Sequence, residues 1–255
     1  MTVPPPSAKP GEGPFETLDG RTFKFACHPG APCFNQCCAD LNLVLTPYDI
    51  VRLKNRLGLT SDRFLETYTA AQTEPDARFP KVRLKMTDAP GRPCPFVTPQ
   101  GCSVYQDRPG ACRIYPLGRG AAAGGRELYF LVREAHCRGF EEEKVWDIEE
   151  WTKDQGLEDY HRSNDLWMEI ITSKVSLGPQ EHRVKKIQMF SMVSYNLDRF
   201  RDFVFQTRFL ALFDLPPEKI DQLRTDDSAL LDLGLNWLKF ALFGQEALPL
   251  KKNPG

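Results

Sequence analysis

Long apolar runs are missing from this chain: nothing in it approaches the length of about 18 apolar residues that a membrane-crossing helix requires, so no membrane partner is expected. An excess of one charge is missing as well. Thirty-three Lys and Arg face 34 Asp and Glu, leaving a net charge of −1, and no global field draws the protein to nucleic acid or an anionic surface. The opening MTVPPPSAKPGEGP has neither the charged start nor the apolar stretch of a secretory signal, which makes the cytoplasm the expected compartment. No C-x-x-C pair occurs, and paired knuckles of that kind mark most structural zinc ribbons. No HExxH, Rossmann fingerprint, Ser-His-Asp set or solenoid repeat stands out either. GRGAAAGGRE (118–127) lacks the GK[ST] ending of a phosphate loop and reads as a hairpin tip. Ordinary catalytic chemistry therefore has no foothold in the motifs.

What the chain does have is thiols. Cys27, Cys33, Cys37, Cys38, Cys94, Cys102, Cys112 and Cys137 are its eight cysteines, and none follows position 137. In a reducing compartment clustered cysteines bind metal or do redox work more often than they form disulfides. A chain of 255 residues with 41% hydrophobic content can also build a core without covalent staples. A lone cysteine usually acts as a small buried hydrophobe, but that account fits poorly when eight crowd into one half beside Gly, Pro, His and Arg. The spacing C-x5-C-x3-CC, with four more thiols downstream, suffices for two four-ligand centres or one polynuclear centre. Iron–sulfur ligand spacings are varied enough to include it.

Cys37 and Cys38 are adjacent. On a strand or a helix neighbouring side chains diverge, so the pair is expected to lie between two sites or two metal atoms. Thiolate-bound metal is net negative and calls for cations or backbone donors around it. Between 92 and 138 stand Arg92, Arg108, Arg113, Arg119, Arg126, Arg133 and Arg138, against only Asp107, Glu127 and Glu134. Arg108 and Arg113, flanking Cys112, are the foremost candidates for that role; a solvated basic face is the plainer reading for the others. His28 and His136 adjoin cysteines and read as surface neighbours rather than ligands, and His161 and His182 read as exposed. The four tryptophans, Trp146, Trp151, Trp167 and Trp237, read as packing in the helical half.

The expected architecture is α+β: a cysteine-rich segment of short strands and turns around a metal centre, packed with a mainly helical C-terminal half. Residues 1–20 read as a flexible arm, 21–140 as the cysteine-cluster domain, 141–245 as the helical region and 246–255 as a tail. TFKFAC (22–27), LNLVLT (41–46), KVRLKM (81–86) and ELYFLVREAH (127–136) are the strand candidates. Thr46-Pro47 predicts a helix start and Gly58 its stop, and Ser61 predicts the cap of a second helix running to about Thr69. From about 147 onward five segments carry apolar residues at helical spacing, one of them LDRFRDFVFQTRFLALF (197–213), which LPPEK then breaks.

C-x5-C-x3-CC, then LVLTPYDIVRLKNRLGL, then CPF-x5-GCSVYQDRPGACRIYPL resembles the YkgJ-like cysteine-cluster family of zinc- or iron-chelating proteins, over roughly residues 22–140. The loop CHPGAPC is longer than the usual first spacing of that family. The resemblance implies that all eight cysteines, Cys27 to Cys137, are metal ligands, holding an iron–sulfur cluster (4Fe-4S) or zinc. It also implies a role in metal handling, electron transfer or a structural centre, with a protein partner within reach of such a role. A related cysteine-cluster protein, the flagellin lysine N-methylase, implies a second reading, methyl transfer from S-adenosylmethionine beside an iron–sulfur centre. A disulfide-stabilised binding module is the third.

Overall fold

A computed structural model of the chain describes residues 15–72, 77–121 and 127–251. The outer part of the expected N-terminal arm, the tip of the 118–127 hairpin and the end of the expected tail lie outside these residues. The fold is α+β, and the chain forms two compact units that interleave along the sequence. One unit takes the described residues up to Val44 together with Leu84–Tyr160; the other takes Leu45–Arg83 together with the residues from His161 onward. A single linear boundary near 140 describes neither unit.

All eight cysteines fall in the first unit, which is built from short pieces. Strand Glu127–Val132 sits between Phe15–Thr17 and Leu117–Ala121 in a three-stranded antiparallel sheet. Thr22–Lys24 pairs antiparallel with Val145–Asp147, and Val97–Thr98 with Gly101–Cys102 in a small hairpin. Phe23, Phe25, Leu117, Leu131, Ile148 and Trp151 form the core, with Cys137, Tyr115, Phe140 and Trp146 packed against it. Phe25 is its hub: its ring meets Tyr115 at 5.7 Å, Phe140 at 5.4 Å and Trp151 at 5.7 Å, all edge-on, the arrangement that aromatic quadrupoles favour. Trp146 and Trp151 thus pack with the cysteines and not with the helical half. Their apolar neighbours, Phe23 and Phe25, come from the far end of the sequence, which linear periodicity does not reveal.

The second unit is mainly helical. Thr46 caps helix Pro47–Leu57 through a complete capping box with Asp49, and Gly58 closes it in the left-handed conformation (φ 64°), which glycine adopts at no steric cost. The next helix, Ser61–Tyr68, is capped by Thr60 rather than Ser61: the Thr60 hydroxyl accepts the Arg63 amide, while the Ser61 amide donates to Asp198 Oδ2 at 2.6 Å. The segment 197–213 is two helices, Leu197–Gln206 and Phe209–Leu212, and Pro217–Leu223 forms a further short helix where a break was expected. Phe64, Phe190, Phe200, Leu230 and Leu235 are fully buried, and Phe200 stacks on Trp237 at 5.7 Å. Within this core Lys54, 6% exposed, reaches Asp227 Oδ2 at 2.7 Å and Asp198 Oδ1 at 3.5 Å, and Arg201 also donates to Asp227. Burial alone would raise the Asp227 carboxyl, but the hydrogen bonds from Arg201 and Lys54 more than offset it and hold the group below its ordinary value.

Candidate metal centre

The first four thiols sit on a compact turn. The Ala31 amide donates to His28 O, Phe34 to Ala31 O, Gln36 to Cys33 O and Cys38 to Asn35 O, each at 2.9 to 3.0 Å. Asn35 takes the left-handed conformation (φ 67°), which its short polar side chain tolerates, and its Nδ2 donates to Thr98 O at 2.9 Å. The chain then enters the single 3-10 turn Gln36–Cys38. In that turn the Cys37 and Cys38 sulfurs lie 4.0 Å apart.

Two backbone junctions bring Cys137, Cys94 and Cys102 to this turn. On one side the Phe25 amide donates to Lys144 O and the Ala26 amide to Gly139 O, so Cys27 emerges beside the segment that carries Cys137. The Arg138 amide donates to Cys33 Sγ at 3.2 Å. Gly139 makes the junction possible: a Cβ there would come within 2.6 Å of the Phe25 ring and 2.7 Å of Ala26 O. On the other side the Cys94 amide donates to Cys38 O at 2.8 Å, and Ala39 bridges Pro93. The Val97 amide donates to Cys94 O, and Val97 faces Cys102 across the hairpin. Cys112 stands on the short helix Gly110–Ile114.

All eight cysteines are free thiols, Cys27 and Cys112 exposed and the other six half-buried, so the disulfide reading has no counterpart here. Their mutual charges record which of them are neighbours. Cys27 feels Cys37, Cys33 and Cys137; Cys38 feels Cys37, Cys112 and Cys94; Cys94 feels Cys102. Among the described residues no three His, Cys, Asp or Glu side chains close on one point as tightly as a single ion demands. The structure therefore gathers the thiols by neighbourhood and does not preform a single-ion cage.

Cys27 is exposed as a residue, but protein atoms crowd its sulfur, and that desolvation, followed by the neighbouring thiols, pushes the thiol up to about 11. Burial also raises Cys94 and Cys102. The Cys37–Cys38 pair shares a hydrogen bond that lowers the first thiol and raises the second; the pair gives up its protons in two separated steps. Against these costs stand donors aimed at sulfur. The backbone amides of Phe96 and Val97 serve Cys94, and that of Val104 serves Cys102. The Tyr115 hydroxyl is buried without a hydrogen bond of ordinary geometry and lies against the Cys137 thiol; burial and then that thiol push the phenol up. A Cys137 thiolate would give this orphaned hydroxyl an acceptor. Four soft thiolates supplied with amide and hydroxyl donors suit zinc or iron–sulfur chemistry.

The arginines play a narrower part than their number predicts. Arg92 pairs with Asp40 at 2.9 Å, Arg119 with Glu127, Arg133 with Glu16 at 2.7 Å and Arg138 with Glu141 at 3.0 Å. Arg126 lies outside the described residues. Arg113 is buried and spends its donors on the carbonyls of Gln106, Arg108 and Gln155, bracing the loop before Cys112. Arg108, also buried, donates to Tyr105 O at 2.6 Å and to Gln155 Oε1 and stacks 3.8 Å from the Tyr105 ring centre. Its charge is felt at Cys27, Cys102 and Cys112. Only the position of Arg108 in the sequence, at the head of RPGAC (108–112), hints at this.

The histidines stay out of the thiol cluster. His28 meets Glu142 at 3.2 Å and His182 meets Glu181 at 3.6 Å; His136 is exposed, whereas His161 is half-buried rather than exposed.

The segment that carries these thiols is similar to a known domain. Residues 26–144 match the CxxCxxCC family. Its description reads "Putative zinc- or iron-chelating domain". The matched span contains every cysteine of the chain. The junction of Cys94 with Cys38 lies inside the matched segment, and the other closes its two ends: Ala26, its first residue, donates to Gly139, and Lys144, its last, accepts from Phe25 just before it. No curated protein and no solved structure is similar enough to this chain to count as a match.

Proposed function

We propose that this protein binds metal through thiolates of Cys27, Cys33, Cys37, Cys38, Cys94, Cys102, Cys112 and Cys137, as an iron–sulfur cluster in preference to zinc. The observation that carries this reading is the adjacent pair Cys37–Cys38, its sulfurs 4.0 Å apart, with Cys37 within electrostatic reach of Cys27 and Cys38 within reach of Cys94 and Cys112. The match of residues 26–144 to a zinc- or iron-chelating family supports it, as do the amides directed at Cys33, Cys94 and Cys102. Iron–sulfur stands ahead of zinc because the C-x-x-C knuckle typical of small zinc sites is absent and cluster ligand spacing is freer. The protein works in a reducing compartment, the cytoplasm, where thiols stay available. There it handles metal, transfers electrons or uses the centre to hold its short-stranded unit together.

Anaerobic purification followed by elemental and acid-labile sulfide analysis tests the proposal. Brown protein with iron and sulfide in equal amounts is the expected result. Zinc without sulfide would move the assignment to zinc. Protein free of metal, which takes none up from ferrous iron and sulfide or from zinc, would overturn the reading.

A further inference from the structure

We infer that the thiols form two separate four-thiolate centres divided by the peptide bond between Cys37 and Cys38: Cys27, Cys33, Cys37 and Cys137 in one, Cys38, Cys94, Cys102 and Cys112 in the other. This division rests on the metal-binding reading above and adds to it the number of centres and the membership of each.

Connectivity supplies the first argument. The Ala26–Gly139 hydrogen bond and the Arg138 amide on Cys33 Sγ tie Cys27, Cys33 and Cys137 to one side of the 3-10 turn. The Cys94 amide on Cys38 O and the Val97–Cys102 register tie Cys94 and Cys102 to the other. The electrostatic neighbourhoods follow the same division. The thiols that act most strongly on Cys27 are Cys37, Cys33 and Cys137, and Tyr115 feels Cys137 and Cys37. Beyond its own neighbour Cys37, the thiols that act most strongly on Cys38 are Cys112 and Cys94. Ligand count supplies the second argument, since a zinc ion or a four-iron cluster takes four cysteine ligands. Each set contains four, and in each set one thiol is exposed, Cys27 in the first and Cys112 in the second.

The test uses the full chain, reduced and stripped of metal, then titrated anaerobically with zinc, or with ferrous iron and sulfide. Samples taken at half saturation are labelled with N-ethylmaleimide and weighed intact. Two centres give chains carrying eight, four and zero labels, and peptide mapping of the four-label chains finds either Cys27, Cys33, Cys37 and Cys137 or the other four modified together. Chains carrying only eight or zero labels, or four-label chains that mix the sets, would overturn the division while leaving metal binding intact. Eight labels at every metal concentration would instead overturn the metal-binding reading itself. As a second arm, C27S/C137S and C94S/C102S should each retain half the metal of the unaltered protein. Complete loss in both, with circular dichroism unchanged, would point to a single centre.

Discussion

Desolvation, with the thiols of Cys37, Cys33 and Cys137 adding to it, lifts the Cys27 thiol to about 11, and the same cause raises Cys94 and Cys102. A group whose folded pKa exceeds its unfolded one stabilises the fold below the unfolded value and loses that contribution as pH climbs through the folded one. Metal-free protein should therefore melt at progressively lower temperature between pH 9 and 11, while metal-loaded protein, its thiols already deprotonated, should not follow that trend. In the opposite direction, metal must displace these protons, so affinity measured by competition with a chelator should fall as pH drops from 8 to 6. Arg108 opposes the rise at Cys27 and Cys102. Arg108→Met should weaken metal binding by about tenfold, at the lower edge of what outer-shell partners contribute. It should also slow alkylation of those two thiols in the metal-free protein, whereas Arg108→Lys should retain most of both properties. An unchanged alkylation rate in Arg108→Met would remove Arg108 from the centre's electrostatics.

Short elements hold the thiols, and their junctions are where substitution should tell most. Gly139 packs its Cα against Phe25 and Ala26 O, so Gly139→Ala should cost about 1 to 3 kcal/mol by overpacking. It should also release metal from the Cys27 side in preference to the Cys94 side, as measured by denaturant unfolding and metal analysis. The sequence disclosed some elements cleanly. Thr46-Pro47 and Gly58 bound their helix because capping is local chemistry between residues a few positions apart. The strand candidates were found but overdrawn: Thr22–Lys24 and Val44–Leu45 are shorter than the apolar runs that suggested them, because pairing ends where the partner strand ends. The break between Gln206 and Phe209 falls on Gln206-Thr207-Arg208, a polar step that an unbroken helix would also accommodate on its solvent side. All eight thiols could be nominated from composition and motif order. Which of them are neighbours depends on contacts such as Ala26 with Gly139, over a hundred positions apart, and such distances leave no periodic trace.

Two interleaved units divide the labour of the molecule by composition: one holds every cysteine, the other the Lys54 ion network and most of the long helices. Lys54→Met should cost about 3 kcal/mol, because Asp198 and Asp227 keep Arg201 but lose a buried partner. It should leave metal content untouched; loss of metal in a folded Lys54→Met protein would contradict that division. Chelation should do the converse, shortening amide hydrogen-exchange lifetimes in Leu84–Tyr160 while sparing Asp227–Phe243. The placement of the indoles adds an optical consequence. Trp146 and Trp151, 5.1 Å apart, share the core against which Cys137 packs, whereas Trp167 and Trp237 lie buried in the other unit. An iron–sulfur chromophore absorbs where indole emits and would quench the first pair by energy transfer, while colourless zinc would leave their fluorescence bright. The molecule therefore carries its own gauge of which cation it holds, readable in a cuvette without any added dye.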